Sequence, residues 1–250
     1  MPSTFQAAFR RANDPDTTAD TLAILADSDN DVILGSVALN TSTPPAVLQR
    51  LAAMGNKEVD YALSCRPHHP VIRSAETLTG NQLVLRDVVV DDAAFILGLR
   101  LDPKKSAYLS AVPDDVQAQA AWIERYQAGT GQAYFIICGK AGEKLGTVRL
   151  YSAIGNSFSW GSWIVTDAAP ANTAIESALM VYRYALDTLG FTSAHFEVDR
   201  KNTSVWTFHE RFGAVRVKES ATEYFYEIGL EPIRASMARY RRFLPGLVAA

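Results

Sequence analysis

The stretch from Ser157 to Ala214 constrains the fold more than any other part of the chain. Ser157 to Val165 alternates aromatic and small residues and is rich in β-formers, which predicts a strand. Asp167 to Asn172 holds Ala, Pro and Asn without an apolar period and reads as a loop. From Thr173, Ile175, Leu179, Tyr182 and Leu186 recur at spacings of three and four, with Ala178 and Val181 widening the stripe of a long helix. Leu189-Gly190 stops it, and Gly190 takes the position just past its end. Ser193 to Val198 is a second strand; Asn202 or Thr203 then caps a second helix that Gly213 ends. Strand, loop, helix and return strand make a βαβ unit. The first turn of its helix has unpaired N–H groups and a positive dipole end, which suit a phosphate or pyrophosphate. The pattern alone is equally consistent with a βαβ unit that binds nothing there.

The order of parts in this stretch resembles the core of the GCN5-related N-acetyltransferases (GNAT), in particular the sub-group that acetylates protein N-termini, such as those of ribosomal proteins, and amino-sugars. The resemblance rests on Trp163-Ile164-Val165, on Tyr184-Ala185-Leu186 with Leu189-Gly190-Phe191, on Glu197-Val198, on Asn202 and Ser204, and on Arg211-Phe212-Gly213-Ala214. It covers about Asn81 to Leu230 and is strongest from Tyr184 to Gly213. Two positions depart from the family. The loop that typically reads R-G-x-G-x-G/A reads Pro170-Ala171-Asn172-Thr173-Ala174-Ile175, with neither Arg nor Gly, so side chains stand where bare backbone normally approaches the pyrophosphate. The position often held by a Tyr general acid reads as Phe208, which has no proton to give.

The resemblance implies an acyl-CoA-dependent N-acyltransferase without a metal, with acetyl-CoA or another acyl-CoA as co-substrate. Its acceptor would be a primary amine of a small molecule, an amino-sugar or a protein N-terminus. The backbone of Trp163, Ile164 and Val165 would bind the pantetheine and polarise the thioester carbonyl. Asn172, Thr173, Ala174 and Ile175 would hold the pyrophosphate, although Glu176 beside them would repel it. Asn202, with Ser204 and Phe208 on the same helix, would contact the pantetheine arm. Glu197 would accept the proton of the acceptor ammonium, or else serve as a structural carboxylate. Tyr108, Tyr151, Trp160 and Ser162 would line the acceptor cleft. Two other functions stay open: a non-catalytic domain of this family that binds a partner, and a transferase with a different acyl donor.

The rest of the chain supplies the frame. Gln82–Val90, Gln132–Gly139 and Lys144–Ser152 read as strands. The turns at Lys140–Glu143 and Ile154–Asn156 make a meander that runs into Ser157–Val165. Val215–Glu219 and Glu223–Ile228 form a last hairpin. The expected fold class is α/β (α+β), with a mixed sheet of about seven strands flanked by helices. Asp91-Asp92 and Asp114-Asp115 sit where helix caps belong. Lys104, Lys105 and Tyr108 lie in the segment that lines the acceptor pocket in the family.

Residues 1–79 look different. Ile33–Pro44 and Val59–Pro70 are similar at an offset of 26 residues, and Leu25-Ala26 matches Leu51-Ala52 at the same offset. A period of this size predicts stacked helical units. The pattern resembles the variant leucine-rich repeat, without that family's cysteine cluster. Two copies bury little by themselves, so residues 1–79 read as a small all-α repeat domain that contacts a protein partner, a second copy or the rest of the chain. The expected division is residues 1–79, residues 80–230 and a basic amphipathic tail, residues 231–250, that ends at Pro245-Gly246.

Composition narrows the classes. A net charge of −3 gives no reason to expect nucleic acid as a partner. No apolar run is long enough to span a bilayer, and no signal peptide is visible. Cys65 and Cys138 form no CxxC pair, and the four histidines make no metal constellation, so the expectation is a reduced, cytoplasmic protein.

Overall fold

The computed structural model describes residues 4–65 and 70–244. Contacts divide the chain into two compact units, Met1–His68 and His69–Ala250.

The first unit holds α1 (Thr4–Asn13), α2 (Ala19–Leu25), α3 (Asp31–Leu39), α4 (Pro45–Ala52) and α5 (Lys57–Cys65). The 26-residue offset is physical: α2 corresponds to α4 and α3 to α5. The caps repeat as well. Asn30 Oδ1 accepts from the N–H groups of Val32 and Ile33 at 3.0 and 3.3 Å. Asn56 Oδ1 accepts from those of Glu58 and Val59 at 2.9 and 3.2 Å. Ile33, Val37, Leu51, Val59 and Ala62 of successive helices share one buried core. The segment that holds His68 and His69 lies outside the described residues.

The second unit contains β1 (Thr77–Thr79), β2 (Leu83–Asp87), α6 (Ala93–Leu101), α7 (Pro103–Ser106), α8 (Val116–Ala128), β3 (Ala133–Gly139), β4 (Lys144–Ile154), β5 (Ser157–Val165), α9 (Thr173–Arg183), β6 (Ser193–Asp199), α10 (Thr203–Phe212), β7 (Val215–Glu219), β8 (Glu223–Gly229) and α11 (Leu230–Arg239). The sheet has eight strands in the order β1-β2-β3-β4-β5-β6-β8-β7, not the seven expected. The extra one is Thr77–Thr79, which pairs antiparallel with β2 from Thr77↔Arg86 to Thr79↔Val84. The second unit therefore begins before the expected boundary at Thr79, and Ile72 is already in its core. The expected tail is also part of this unit: Ile233 and Met237 of α11 and Leu244 are buried in the same core, and Arg234 pairs with Asp187 at 2.7 Å. Its expected stop at Pro245-Gly246 lies outside the described residues.

β3 shows why the sheet reads as an apolar run. All seven of its residues are buried. Tyr134, Ile136 and Cys138 face a core shared with α6 and α8, while Ala133, Phe135 and Ile137 face the core that holds α9. Both faces are covered, so the period of two is hidden in the sequence. Asp115 caps α8 as expected, accepting from the N–H groups of Gln117 and Ala118. Asp92 does more than cap. Its carboxylate is fully buried and pairs with Arg86 at 2.9 Å and Lys144 at 2.6 Å. It also accepts from the Val89 N–H at 2.9 Å. Burial pushes its pKa up, but Arg86, Lys144 and that N–H together outweigh it and hold the group below the usual carboxylate value. No helix among the described residues is long and apolar enough to cross a membrane.

Candidate active site

The site is built where the sheet opens. β5 and β6 run parallel but pair only at Ser157↔Ser193 and Phe158↔Ala194. Beyond that the two strands diverge. β5 stays with β4, but with a bulge: Thr147 pairs with Ile164 and Arg149 with Gly161, so Ser162 and Trp163 together face the single residue Val148. Ser162 takes a left-handed backbone conformation, φ +46°, and its carbonyl accepts from Thr147 Oγ1 at 2.7 Å. Gly146 permits the close approach, since a Cβ there would lie 2.1 Å from the Ile164 oxygen. The N–H of Thr166 donates to Leu145 O at 2.8 Å on the β4 side. By strand alternation the N–H and C=O of Val165 then face the opening, where Lys105 Nζ donates to Val165 O at 3.1 Å and to Asp167 Oδ1 at 2.5 Å. Lys105 is thus tied to the strand end.

A cavity of about 570 Å³ fills the opening. It brings together seven of the expected residues: Tyr108, Tyr151, Trp160, Ser162, Trp163, Glu197 and Asn202. Glu197 comes from the diverging strand and is exposed, so the burial that a structural carboxylate would show is missing. Asn202 Oδ1 accepts from Ser204 Oγ at 3.2 Å, and its amide NH2 has no acceptor among the described residues.

Other expected residues lie elsewhere. Phe208 does not face this cavity. With Ile175 and Ser204 it lines a separate one of about 620 Å³ between α9 and α10, and its ring packs on Trp163 at 5.0 Å and Phe212 at 4.8 Å. Two other residues of α10 line the opening, Val205 and the neighbour of Phe208, His209. Its ring lies 4.0 Å from that of Phe196 and 5.3 Å from that of Trp160, and its Nδ1 is buried without a partner. Burial pulls its pKa down to about 3, so it is neutral near pH 7. Ile164 is buried, with its backbone paired to Thr147.

Asn172, Thr173 and Ala174 open α9. Asn172 makes no side-chain cap, the Thr173 N–H donates to Pro170 O at 2.9 Å, and the first intrahelical bond is Glu176 N–H to Asn172 O. The N–H groups of Ala174 and Ile175 are the orphans of this terminus. Asn172 and Thr173 border a shallow cavity of about 360 Å³ with Lys140. Glu176 does not line it but lies behind two residues that do, Gln82 and Leu83. Its side chain is fully buried, and Oε1 accepts from the N–H groups of Gln82 and Leu83 at 2.8 and 3.0 Å.

Two arginines also line the 570 Å³ cavity that the sequence did not single out, Arg100 from α6 and Arg149 from β4. No local signal marks them. Among the described residues, no group of three or more His, Cys, Asp or Glu is arranged to hold a metal.

A bulged strand that parts from its parallel neighbour, with a long helix starting beside the gap, defines an acyltransferase fold. The acetyltransferase (GNAT) domain matches residues 82–215, and the leucine-rich repeat variant domain matches residues 6–67. The chain belongs to the GNAT family and is an acyltransferase, preceded by a variant leucine-rich repeat domain. It is similar to the apo form of FdhC, a nucleotide-linked sugar GNAT, at 36% identity over 67% of this chain and 98% of that one, with a TM-score of 0.60. A GCN5-related N-acetyltransferase from Brucella melitensis shares the fold at 16% identity over 71% and 90% of the two chains, TM-score 0.58. A GNAT-family acetyltransferase from Bacillus anthracis does so at 15% identity over 62% and 99%, TM-score 0.53. No curated protein matches the chain.

Proposed function

We propose that the chain transfers an acyl group, acetyl first among the candidates, from acyl-CoA to a primary amine of a small molecule, with a nucleotide-linked amino-sugar as the favoured acceptor. The observation that carries this reading is the opening between β5 and β6, where Trp160 to Trp163 of the bulged strand and Glu197 of the diverging one line a single cavity. The likeness to FdhC, described as a nucleotide-linked sugar GNAT, supports the acceptor class.

The chain's own groups fit an acyl-CoA. The Val165 N–H at the open edge would polarise the thioester oxygen, and the Asn202 amide would donate to the pantetheine arm. The orphan N–H groups of Ala174 and Ile175 would meet the pyrophosphate, and Glu176 is turned out of the way. Glu197, directly or through a water, takes a proton from the acceptor ammonium. The amine nitrogen then forms a bond to the carbonyl carbon as the carbon–sulfur bond breaks; the leaving sulfur carries off the electron pair and takes up the second proton that the nitrogen sheds, so the products are a neutral amide and the CoA thiol. Positioning in the cleft does most of the work.

Calorimetry with acetyl-CoA and with CoA tests the reading. Micromolar binding that raises the melting temperature supports it. A folded protein that binds neither at millimolar concentration refutes it and favours a partner-binding role for the repeats. With an acceptor in hand, Glu197→Gln should lower kcat by about a hundredfold and leave the CoA affinity unchanged.

A further inference from the structure

The 570 Å³ cavity continues into a smaller one of about 180 Å³, and the two share Arg100, Ser110, Arg149 and Ser162. Charge is divided unevenly between them. Glu197, Asp199 and Glu223 line the larger cavity, whereas the side cavity has no carboxylate: Arg100 and Arg149 are the only charged side chains among the described residues that line it. Neither arginine has a carboxylate within ion-pair distance among the described residues.

Both guanidinium groups are held in place with donors to spare. Arg149 lies against the rings of Trp122 at 4.9 Å and Tyr151 at 5.3 Å; its Nε donates to Gln132 Oε1 at 3.1 Å, and its Nη2 donates to the same oxygen. Arg100 donates through one terminal nitrogen to Ser110 O at 2.7 Å and Ser110 Oγ at 2.9 Å. Its Nε is buried and has no partner among the described residues. A guanidinium has five N–H donors in a planar fork, so these bonds leave several unused on each residue. Burial lowers the pKa of Arg149, and Arg100 nearby adds to that effect. Two like charges that line one half-buried cleft, one with an orphaned donor, call for an anion. Forked donors match phosphate oxygens two at a time.

We infer that Arg100 and Arg149 form an anion-reading subsite that seats a phosphate group of the acceptor while its amine faces Glu197. The inference rests on the proposed reading of this cavity as the acceptor site. It makes the acceptor a molecule charged at both ends and assigns each end to one part of the cleft.

The first test is calorimetry of uridine diphosphate and of inorganic pyrophosphate with saturating CoA present, which blocks the donor site. Both probes should bind the wild-type protein and weaken as salt rises. Arg149→Gln or Arg100→Gln should weaken them by about tenfold or more, with CoA affinity and melting temperature retained. The second test compares glucosamine, glucosamine 6-phosphate and the carboxylate-bearing amine glutamate as acceptors. The phosphate should lower KM in the wild type, and this advantage should vanish in Arg149→Gln. Arg149→Lys, which keeps the charge and loses the fork, should fall between. Equal probe affinity in wild type and both Gln variants overturns the inference. So does no binding of either probe, or a response confined to glutamate. Failure of CoA binding removes the acyltransferase reading instead, and the diphosphate measurement without CoA still decides on the arginines.

Discussion

Glu176 Oε1 accepts a hydrogen bond from the backbone N–H of Leu83 at 3.0 Å, joining the start of α9 to the start of β2 across 93 residues of sequence. The same oxygen takes the Gln82 N–H at 2.8 Å, so one buried carboxylate holds the turn that leads into β2. Glu176→Ala leaves two N–H groups without this acceptor and should cost about 2–3 kcal/mol, read from urea denaturation. The variant's folded fraction should bind CoA no more tightly than the wild type. A marked gain in affinity would mean that the carboxylate faces the pyrophosphate after all.

His209 sets a pH dependence. Its folded pKa is depressed to about 3, below the ordinary value near 6.5. Above pH 6.5 it is neutral in both states, and its contribution to stability is intact. As pH falls below that, the unfolded chain takes up a proton that the folded chain refuses, and stability drops by up to about 1.4 kcal/mol per pH unit until the folded group titrates. His209→Gln should remove roughly 2 kcal/mol of the wild-type loss between pH 7 and pH 5. Parallel stability curves for the two proteins would contradict the burial of the ring.

The Asp92 cluster is a second buried dependency. Removing its carboxylate leaves Arg86 and Lys144 without the partner they share. Asp92→Ala should lose about 3 kcal/mol or more, against under 1 kcal/mol for the same change at an exposed, unpaired Asp. A double-mutant cycle with Arg86→Ala should show a coupling of the same sign.

The bulge in β5 can be tested through its neighbour. A Cβ on Gly146 would lie 2.1 Å from the Ile164 oxygen, so Gly146→Ala must displace β5 from β4. The expected result is a loss of about 1–3 kcal/mol together with weaker CoA binding, because the open edge moves with the strand. Unchanged CoA affinity in a destabilised Gly146→Ala protein would separate the bulge from donor binding.

The elements were legible where local chemistry repeats. The repeat offset and the meander turns are written in neighbouring residues. Thr77–Thr79 was missed because three residues carry no readable period, and only pairing with β2 makes them a strand. Phe208 and His209 show a different limit. They are adjacent on α10 and both aromatic, about 100° apart around the helix. Which one meets the cavity depends on how α10 docks, and the core fixed that choice with Phe212 buried against Tyr182.

The sequence alone determined the βαβ unit, the repeat, the alternation of β5 and the family motifs, because these depend on spacing along the chain. Only the tertiary structure decided where β5 leaves β6, that Glu176 turns inward, and that Arg100 and Arg149 share one cleft. Those facts depend on contacts between segments far apart in sequence, and no local preference of Arg149 on β4 encodes the presence of Arg100 from α6 beside it.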